Sequence, residues 1–454
     1  MTIELLGDKS VRQVYEADAS GLRLLPDFVA RPESVGDVVE VMKRATTDRI
    51  PLTCAGAQSS TTAASITDRG ILLSMRALDA ISDIDEGART IRVGPGALVA
   101  EVKRKAAAAG LLFAPDPTSE EESTIGGAIA CNASGARTFK YGATRRYVQG
   151  LTVLLANGEL KELRRSNLEK NTVGYAFAHD PIDWFIGSEG TLGIIVDAEL
   201  SLLPLPTEVI GIAIFFTTEE DALAFVIDAR ENHQLSPRCI EYFDELALEI
   251  ARQSNSGSPL PADAKGMIYV EEEIADDVDT TLMRWADVIG ESSTIEPLVF
   301  QGEAKLREAR RFRHSVPATM NERGGRHRDS GGRKVSTDWA VPYRRLPEAI
   351  ASARRFAREA GVVQPVIYGH AGNGHPHENF IARDASDLAT IESVVERTLQ
   401  QVLAFGGTVA AEHGIGKIKR RWLPLQMNTL QIAMMNAVKK ELDPLQLLAP
   451  GNIL

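Results

Sequence analysis

The tripeptide Pro204-Leu205-Pro206 is the sequence feature that most limits how this chain can fold. Proline cannot donate a hydrogen bond within a sheet, so this run ends the strand that is predicted before it. The chain has 454 residues, which is too many for one compact hydrophobic core. The tripeptide therefore predicts a domain boundary, with a first domain over residues 1–205.

The charge and cysteine content exclude several classes of protein. The chain has 62 acidic and 50 basic residues, a formal net charge of −12, so it lacks the basic character of a nucleic-acid-binding domain. Cys54, Cys131 and Cys239 lie far apart and form no C-x-x-C pair, which argues against a disulfide framework or a thiolate zinc site. We expect a globular protein with no nucleic-acid partner.

Targeting signals are not apparent. Residues 1–43 contain no basic segment followed by an apolar one, so we expect no signal peptide. No run of roughly 18 apolar residues occurs, so we expect no transmembrane segment. We therefore expect a cytoplasmic location, with peripheral association with a membrane as the alternative.

The first domain contains several strong local signals. Ser34 with Asp37 three residues later predicts a capped helix, and Asn157-Gly158 predicts a tight hairpin between two strands. Residues 115–142 show no periodicity and predict a long loop with a functional role. The other predicted elements are strands at 50–54, 70–75, 90–93, 148–155 and 160–163, a helix at 99–109, and a turn followed by a strand within 186–203.

The second domain alternates short strands with helices, a pattern that predicts an α+β domain with a mostly antiparallel sheet. A basic, glycine-rich loop is predicted between its third helix and Arg333. The predicted strands are 209–216, 266–271, 334–341 and 365–370, and the predicted helices are 219–231, 276–288, 303–314 and 345–360.

Two small-residue segments of the first domain could bind a diphosphate. Ala55–Ser60 follows a predicted strand and offers backbone amides and hydroxyls, and Gly126-Gly127 allows close backbone approach. Each segment alone is also compatible with a plain turn. A strand–GxGxxG–helix unit with a following acid is missing, which disfavours a Rossmann NAD site.

The densest chemistry lies late in the chain. His370, His375 and His377 fall within eight residues, and Glu412 and His413 follow about forty residues later. Imidazoles with a carboxylate are ligands of Zn²⁺, Mn²⁺ and Fe²⁺. Surface loops with incidental histidines are the alternative.

Six segments in order carry a family resemblance. Together they resemble the FAD-binding region of the vanillyl-alcohol oxidase/p-cresol methylhydroxylase superfamily, and most closely its D-lactate, glycolate and D-2-hydroxyglutarate dehydrogenases. The resemblance runs from about Arg31 to the C-terminus. The segments are Pro115-Asp116-Pro117-Thr118-Ser119, Thr124-Ile125-Gly126-Gly127, Asn132-Ala133-Ser134-Gly135, Lys140-Tyr141-Gly142, Gly150-Leu151-Thr152-Val153 and Gly187–Gly193.

The resemblance implies a fold and a cofactor. The fold is α+β: a two-part FAD-binding domain over residues 1–205, an α+β substrate (cap) domain with an antiparallel sheet over 206–410, and a C-terminal segment over 411–454 that returns to the FAD domain. The active site is then expected between the domains. The implied FAD contacts are Ala55, Gly56, Ala57, Gln58, Ser59, Ser60, Pro115, Asp116, Thr118, Thr124, Gly126, Gly127, Ser134, Tyr141, Glu189, Gly193 and Ile194.

The first FAD loop departs from the family pattern. The usual Arg-Gly-Gly-Gly-Thr/Ser is Cys54-Ala55-Gly56-Ala57-Gln58 here, so one glycine of three remains. All eight histidines lie at or after His179, which predicts non-covalent FAD. A thioether to Cys54 or Cys131 is the alternative.

The resemblance also implies a reaction, the oxidation of a small D-2-hydroxy acid to the 2-oxo acid with hydride transfer to flavin N5. His370, His377 and Glu412 would bind a divalent metal, with zinc expected and manganese or iron as alternatives. His413 would be the general base, and His375 is an additional imidazole that could join the metal or face solvent. The implied substrate contacts are Arg313, Lys334 and Asn379.

Several alternatives remain open from the sequence. Four arginines of the predicted basic loop could extend the site toward a second carboxylate or could simply be solvated. A metal-dependent hydrolase could use the same histidines, and a catalytically silent flavin-binding subunit is a third interpretation. The electron acceptor and a homo-oligomeric state are also open. The four arginines are Arg323, Arg326, Arg328 and Arg333.

Overall fold

The chain passes between two structural units more than once. The computed structural model describes residues 3–255, 257, 259–275, 277–293 and 295–454. Unit 1 comprises the chain up to Ser134 together with Gly142–Leu205 and Glu412–Leu454, and unit 2 comprises Gly135–Tyr141 and Pro206–Ala411. The sequence prediction had assigned residues 135–141 to the first domain. The structure places them in unit 2, where Phe139 lies against Gly372.

The helices begin largely where capping residues predict. Ser34 Oγ accepts a hydrogen bond from the Asp37 amide at 3.2 Å, and the Asp37 carboxylate accepts one from the Ser34 amide at 3.0 Å. This capping box confirms the prediction for α2. At α6 the Thr218 side chain accepts a hydrogen bond from the Asp221 amide. The helices are α1 (Lys9–Val14), α2 (Val35–Asp48), α3 (Val99–Ala108), α4 (Ile125–Cys131), α5 (Thr138–Tyr141), α6 (Glu219–Glu231), α7 (Glu245–Ser254), α8 (Val278–Ser292), α9 (Glu303–Gly325), α10 (Leu346–Glu359), α11 (Ala385–Ala404), α12 (Leu423–Gln426) and α13 (Thr429–Leu442).

Helices α8 and α9 correspond to the predicted helices 276–288 and 303–314. The predicted helix start at Asp276 lies outside the described residues, and α8 begins at Val278. Helix α9 continues past the predicted end at His314, so the predicted loop there is wrong. Its buried residues Val316, Met320 and Gly324 recur every four residues and extend the apolar stripe of the helix.

The strands also follow local signals. Gly158 has φ of 83° at the predicted hairpin, which joins two antiparallel strands and confirms the prediction. The strands are β1 (Phe28–Ala30), β2 (Leu52–Ala55), β3 (Ile71–Ser74), β4 (Thr90–Val93), β5 (Leu111–Leu112), β6 (Val148–Leu154), β7 (Leu160–Arg164), β8 (Ile194–Ser201), β9 (Leu203–Pro204), β10 (Val209–Phe216), β11 (Pro237–Asp244), β12 (Gly266–Glu273), β13 (Leu298–Gln301), β14 (Gly331–Ser336), β15 (Val366–His370) and β16 (His375–Asp384).

Unit 1 combines a parallel and an antiparallel sheet. The parallel sheet has the order β1-β3-β2 and packs against α2 through Val38, Val41 and Met42. The antiparallel sheet has the order β4-β8-β6-β7, and β5 pairs with β9. The residues that were predicted to contact FAD lie on or between these strands and α4, apart from Tyr141, which belongs to unit 2.

Unit 2 is built on a sheet of order β13-β10-β12-β11-β15-β16-β14, in which neighbouring strands are antiparallel. This confirms the predicted α+β architecture with an antiparallel sheet. Helices α7 and α9 cover one face of the sheet through a core that includes Leu248, Phe312 and Val316. Among the described residues, no helix is both long enough and apolar enough to span a membrane.

Candidate active site and cofactor-binding residues

The loop after β2 lies directly against the start of α4. A Cβ atom built on Gly56 would lie 2.2 Å from Thr124 Oγ1, which is far inside the van der Waals limit. Thr124 is itself the N-cap of α4 and accepts a hydrogen bond from the Gly127 amide at 3.3 Å. Gly56 is therefore required for close approach between these two predicted FAD-binding segments.

Gln58 takes the left-handed backbone conformation in this loop, with φ of 56°. A non-glycine residue pays about 1 kcal/mol or more for this conformation. Its side-chain amide compensates by donating to the carbonyl oxygens of Tyr15 at 2.9 Å and Ala17 at 3.1 Å. The side chain of Gln58 thus anchors the loop to the N-terminal segment, where the family pattern relies on glycines.

The second predicted segment was expected to be a loop, but the structure contradicts this, because Ile125–Cys131 forms α4. The sequence did not predict α4 because it offers one N-cap residue and contains two glycines, which have a low helix propensity. Gly126 is fixed by packing, since a Cβ there would lie 2.6 Å from Pro95 Cβ. Gly193 is also fixed by packing, since a Cβ there would lie 2.5 Å from Val153 Cγ1.

The remaining predicted FAD contacts lie in varied environments. Ser60 Oγ accepts hydrogen bonds from the amides of Thr62 and Ala64 at 3.2 and 3.3 Å, which shapes the loop from within. Tyr141 is buried and belongs to unit 2, at the end of α5. The other contacts are Ala55, Pro115 and Ile194, which are buried, Ala57, Ser59, Asp116 and Ser134, which are partly buried, and Thr118, which is exposed.

Glu189 holds the loop that contains His413. Its carboxylate accepts hydrogen bonds from the amides of Ile415 at 2.6 Å and Gly416 at 2.8 Å. Burial raises the pKa of this carboxyl, and these two amide bonds act in the opposite direction. A Cβ on Gly414 would lie 2.4 Å from Glu189 Oε1. The Glu189 side chain therefore stabilises the conformation of this loop. Its predicted contact with FAD stays a prediction.

Glu412 and His413 stand side by side in unit 1. His413 Nε2 lies 3.4 Å from Glu412 Oε1, and the other carboxylate oxygen of Glu412 accepts a hydrogen bond from Ser134 Oγ at 3.3 Å. The carbonyl oxygen of His413 accepts one from Thr62 Oγ1 at 3.4 Å. Segments distant in sequence thus fix both residues.

Two lysines that the sequence analysis missed follow His413. Burial lowers the pKa of Lys417 to about 8, and its ammonium donates to Asn452 Oδ1 at 2.6 Å and to the Ala63 carbonyl at 3.2 Å. Burial lowers the pKa of Lys419 to about 7, with the charge of Glu189 acting in the opposite direction. The spacing of single lysines gives no sequence signal for such burial.

In unit 2, three imidazoles lie together on one face of the sheet. His370 pairs with His375 across β15 and β16, and Tyr368 pairs with His377. The ring centroid of His370 lies 5.3 Å from that of His375 and 5.3 Å from that of His377, and the centroids of His375 and His377 are 4.8 Å apart. All three side chains are buried. The structure thus brings the predicted ligands His370 and His377 together and adds His375 to the same group.

Glu241, which the sequence analysis missed, orients His370. The Nδ1 atom of His370 donates to Glu241 Oε1 at 2.6 Å, and Arg313 Nε donates to Glu241 Oε2 at 2.7 Å. Burial alone would raise the pKa of the Glu241 carboxyl, but the charges of His370 and Arg313 lower it to about 2. Strand β11 was not among the predicted strands, so the sequence gave no signal that marked Glu241. This carboxylate connects the predicted metal ligand to the predicted substrate arginine.

The other predicted substrate contacts are placed differently. Asn379 is buried. Its side-chain oxygen accepts a hydrogen bond from Ser336 Oγ at 2.8 Å, and its side-chain nitrogen donates to the His377 carbonyl at 3.2 Å. Lys334 donates to Asn321 Oδ1 at 2.7 Å, and burial lowers its pKa to about 8. Their roles in substrate binding stay predictions.

The four arginines expected in a basic loop lie on or next to regular secondary structure instead. Arg323 lies on α9, and Arg326 directly follows that helix and pairs with Glu322. Arg328 begins a single 3₁₀ turn that runs to Ser330, and Arg333 lies on β14, 3.0 Å from Glu392. The prediction of a basic, glycine-rich loop up to Arg333 is therefore wrong.

Comparisons with known families agree with this arrangement. Residues 26–164 match the FAD binding domain, and residues 205–453 match the C-terminal domain of FAD linked oxidases. The chain belongs to the FAD-linked oxidases. It is an oxidoreductase with an FAD-binding domain, and the family predicted from its sequence motifs is confirmed.

Relatives extend over nearly the whole chain. The glycolate oxidase subunit GlcD of Bacillus subtilis (strain 168) is 28% identical over 451 residues, which cover 97% of this chain and 92% of the relative. The D-lactate dehydrogenase of Anaerostipes hadrus is 28% identical, with 99% and 94% covered. The D-2-hydroxyglutarate dehydrogenase of Stutzerimonas stutzeri (strain A1501) is 27% identical, with 94% and 91% covered.

Solved structures support the fold. A structure of alkyldihydroxyacetonephosphate synthase aligns with a TM-score of 0.73 at 18% identity, covering 98% of this chain and 83% of the other. This similarity supports the fold class that the sequence predicted.

Proposed function

We propose that this protein oxidises a small D-2-hydroxy acid to the corresponding 2-oxo acid, with FAD as its redox cofactor and a bound divalent metal ion. The observation that carries the proposal is the contact between Glu241, His370 and Arg313 beside two further imidazoles. The names of three relatives refer to glycolate, D-lactate and D-2-hydroxyglutarate, and each of these compounds is a 2-hydroxy acid.

The imidazole group suits a divalent ion. Because Glu241 engages Nδ1 of His370, Nε2 would be the ring nitrogen that binds a metal, as in carboxylate–histidine–metal arrangements. In the structure this nitrogen lies 3.4 Å from Arg313 Nη2. A ring nitrogen of His370 and one of His375 lie within 4.8 Å of each other. We assign His370 and His377 as ligands, with Glu412 as the carboxylate ligand on the strength of the family resemblance. Zinc is the first choice for this set, and manganese or iron are alternatives.

The residues of the chain would have separate roles in the proposed reaction. Bound FAD would supply the acceptor for the hydride of the carbon that bears the hydroxyl, and a bound divalent ion would supply the charge that lowers the pKa of that hydroxyl. His413 would accept the hydroxyl proton as general base. Arg313 holds Glu241 through Nε and lies beside His370, where its positive charge would attract the substrate carboxylate. Lys334 would add a second positive charge for that carboxylate.

The test is to add a panel of D- and L-2-hydroxy acids to the protein. Flavin reduction is monitored by the absorbance near 450 nm and by the reduction of a dye acceptor. We expect the D-isomers to bleach the flavin. Chelation should abolish the reaction, and one divalent ion should restore it. Reduction by L-isomers only would contradict the substrate class, and full activity in His413→Asn would contradict the assigned base.

The same experiment separates the other interpretations. A flavin that binds but is not reduced by any hydroxy acid would identify a catalytically silent subunit. A hydrolase without flavin is disfavoured because the chain carries an FAD-binding domain. Bleaching without a dye acceptor, under air and then without oxygen, tests whether oxygen serves as the electron acceptor.

A further inference from the structure

Strand pairing directs three imidazoles to one face of the sheet at the hairpin between β15 and β16. His375 and His377 are two positions apart on β16, and alternate residues of a strand point to the same face. His370 is the direct cross-strand partner of His375, and the Cβ atoms of such partners lie about 4.5–5.5 Å apart. His377 follows diagonally opposite His370. The backbone alone therefore brings all three side chains to one region of unit 2.

The spacing of the three rings matches that of imidazoles around one metal ion. With a Zn–N distance of about 2.0–2.1 Å, a bound imidazole has its ring centroid about 3.2 Å from the ion, so two such rings at the tetrahedral angle are about 5.2 Å apart. The centroid of His375 lies 5.3 Å from that of His370 and 4.8 Å from that of His377, and the third distance is also 5.3 Å. His375 thus completes a triangle of the size that a single tetrahedral ion requires.

The rings are steeply inclined to each other rather than stacked. The angle between ring planes is 62° for His370 and His375 and 72° for His375 and His377. Stacked rings direct their nitrogens along parallel lines, whereas inclined rings can direct them to a common point. A ring nitrogen of His375 lies within 4.8 Å of one of His370, and two nitrogens on one tetrahedral zinc ion are about 3.3 Å apart. A small movement of the side chains is enough to bring both nitrogens to the same ion.

Glu241 balances the nearest positive charge. Arg313 Nη2 lies 3.4 Å from His370 Nε2, and alone this guanidinium would repel a bound cation. The Glu241 carboxylate lies 2.7 Å from Arg313 Nε and 2.6 Å from His370 Nδ1, so it offsets the guanidinium charge. The imidazoles are buried, which restricts the access of water to an ion that they hold.

We propose that His375 is a third imidazole ligand of the divalent ion and that it makes the site prefer zinc to manganese. Imidazole suits zinc, whereas carboxylate, carbonyl and water oxygens suit manganese. With Glu412 as a fourth ligand, a fifth position stays available to the substrate, a coordination number that zinc reaches in catalytic sites. This inference rests on the proposed function, in which His370 and His377 bind the ion.

The experiment measures the dissociation constants of zinc and of manganese for the FAD-loaded, metal-free protein by competition with a chromophoric chelator. His375→Ala removes the imidazole and should raise the zinc constant at least about 100-fold, since the loss of a group that merely orients a ligand already costs about 10- to 100-fold. It should raise the manganese constant less than about tenfold, because manganese depends less on nitrogen ligands. His233→Ala, at an exposed position of unit 2, is the matched control and should change neither.

His375→Gln guards against misfolding and against a role of His375 in packing alone. Glutamine keeps a hydrogen-bonding group on a side chain of similar length, but it offers an amide oxygen in place of the imidazole nitrogen. We expect zinc binding to stay weak and manganese binding to stay near native, so the preference for zinc should fall at least about tenfold. The visible absorption of cobalt-substituted protein, which depends on the number and kind of ligands, should change in both His375 variants and not in His233→Ala.

The outcomes distinguish this inference from the proposed function. An unchanged ratio of the two dissociation constants in both His375 variants, or native zinc affinity with an unchanged cobalt spectrum in His375→Gln, overturns His375 as a ligand. The site at His370 and His377 would then still stand. If the native protein binds no divalent ion, the metal site of the proposed function and this inference both fall.

Discussion

The Nδ1 atom of His370 lies 2.6 Å from a carboxylate oxygen of Glu241, and both side chains are buried. This contact fixes the orientation of the imidazole ring and sets which nitrogen points away from the carboxylate. The other oxygen of Glu241 holds Arg313 at 2.7 Å. One carboxylate therefore positions both a candidate metal ligand and a candidate substrate-binding cation.

Glu241→Gln should reduce the affinity for the metal ion by about 10- to 100-fold, the range found when such an orienting partner is lost. The amide keeps the shape of the side chain but removes the charge that holds both His370 and Arg313. Metal content after dialysis against a graded chelator measures the effect. Glu249→Gln, at an exposed position of α7, serves as the control. Unchanged metal retention in Glu241→Gln would remove Glu241 from the metal site.

Gly56→Ala should weaken FAD binding because the new methyl group would lie 2.2 Å from Thr124 Oγ1. The loop must then move away from the start of α4. Adding Thr124→Ala should recover part of the affinity, since it removes the obstructing hydroxyl at the cost of the helix cap. Titration of the FAD-free protein with FAD measures the dissociation constant. Gly290→Ala, which meets open space on α8, should leave it unchanged.

Gln58→Ala should raise the dissociation constant for FAD more than Gln58→Gly does. Both changes remove the bonds to Tyr15 and Ala17, but alanine retains the left-handed strain and glycine relieves it. The difference between the two variants is expected to be about 1 kcal/mol, or roughly fivefold in the dissociation constant. If the alanine variant bound FAD as tightly as the native protein, the anchoring role of Gln58 would be wrong.

Lys334 should make substrate binding depend on pH. Burial lowers its pKa to about 8, so its ammonium is charged below that pH and neutral above it. If Lys334 binds the substrate carboxylate, KM should rise as the pH increases through about 8. Lys334→Arg should flatten this rise because arginine stays charged. Lys305→Arg, at an exposed position on α9, should retain the native profile.

Lys419 should make the free energy of unfolding depend on pH. Burial lowers its pKa to about 7 in the folded protein, whereas an unfolded lysine titrates near 10.4. Between these values the unfolded chain binds one more proton, so stability rises with pH across this window. Lys419→Met should remove that rise, which is on the order of 3 kcal/mol. Denaturant unfolding at pH 7 and pH 10 measures this change in the native protein, in Lys419→Met and in the control Lys440→Met, whose lysine is exposed. An equal change in the free energy of unfolding in all three proteins would contradict the role of Lys419.

Local signals in the sequence predicted much of the fold. Ser34 and Asp37 carry their interaction within four residues, and Asn157-Gly158 does the same for the hairpin, so the sequence alone was sufficient for both. Helix α9 was cut short because Pro317 and the glycines after it favour an end. Its continuation depends on burying Val316 and Met320 against the sheet, which is a tertiary effect.

The candidate site was only partly predictable for the same reason. His370, His375 and His377 are close in sequence, so their density gave a signal. Glu241 lies far away along the chain and reaches His370 only because β11 pairs with β15. Strand pairing over such distances cannot be inferred from one sequence without a template.

The short segment Gly135–Tyr141 belongs to unit 2 although both of its flanks belong to unit 1. Neither unit can therefore be obtained as one contiguous stretch of the gene. A fragment that starts at Pro206 would lack Arg137, whose Nε atom lies 3.1 Å from Glu271 Oε2, and leave Glu271 with a smaller share of its compensating charge. Recombination between related genes at the position of Pro206 would likewise join a segment Gly135–Tyr141 from one parent to a sheet from the other, so these seven residues must be inherited together with the sheet they contact.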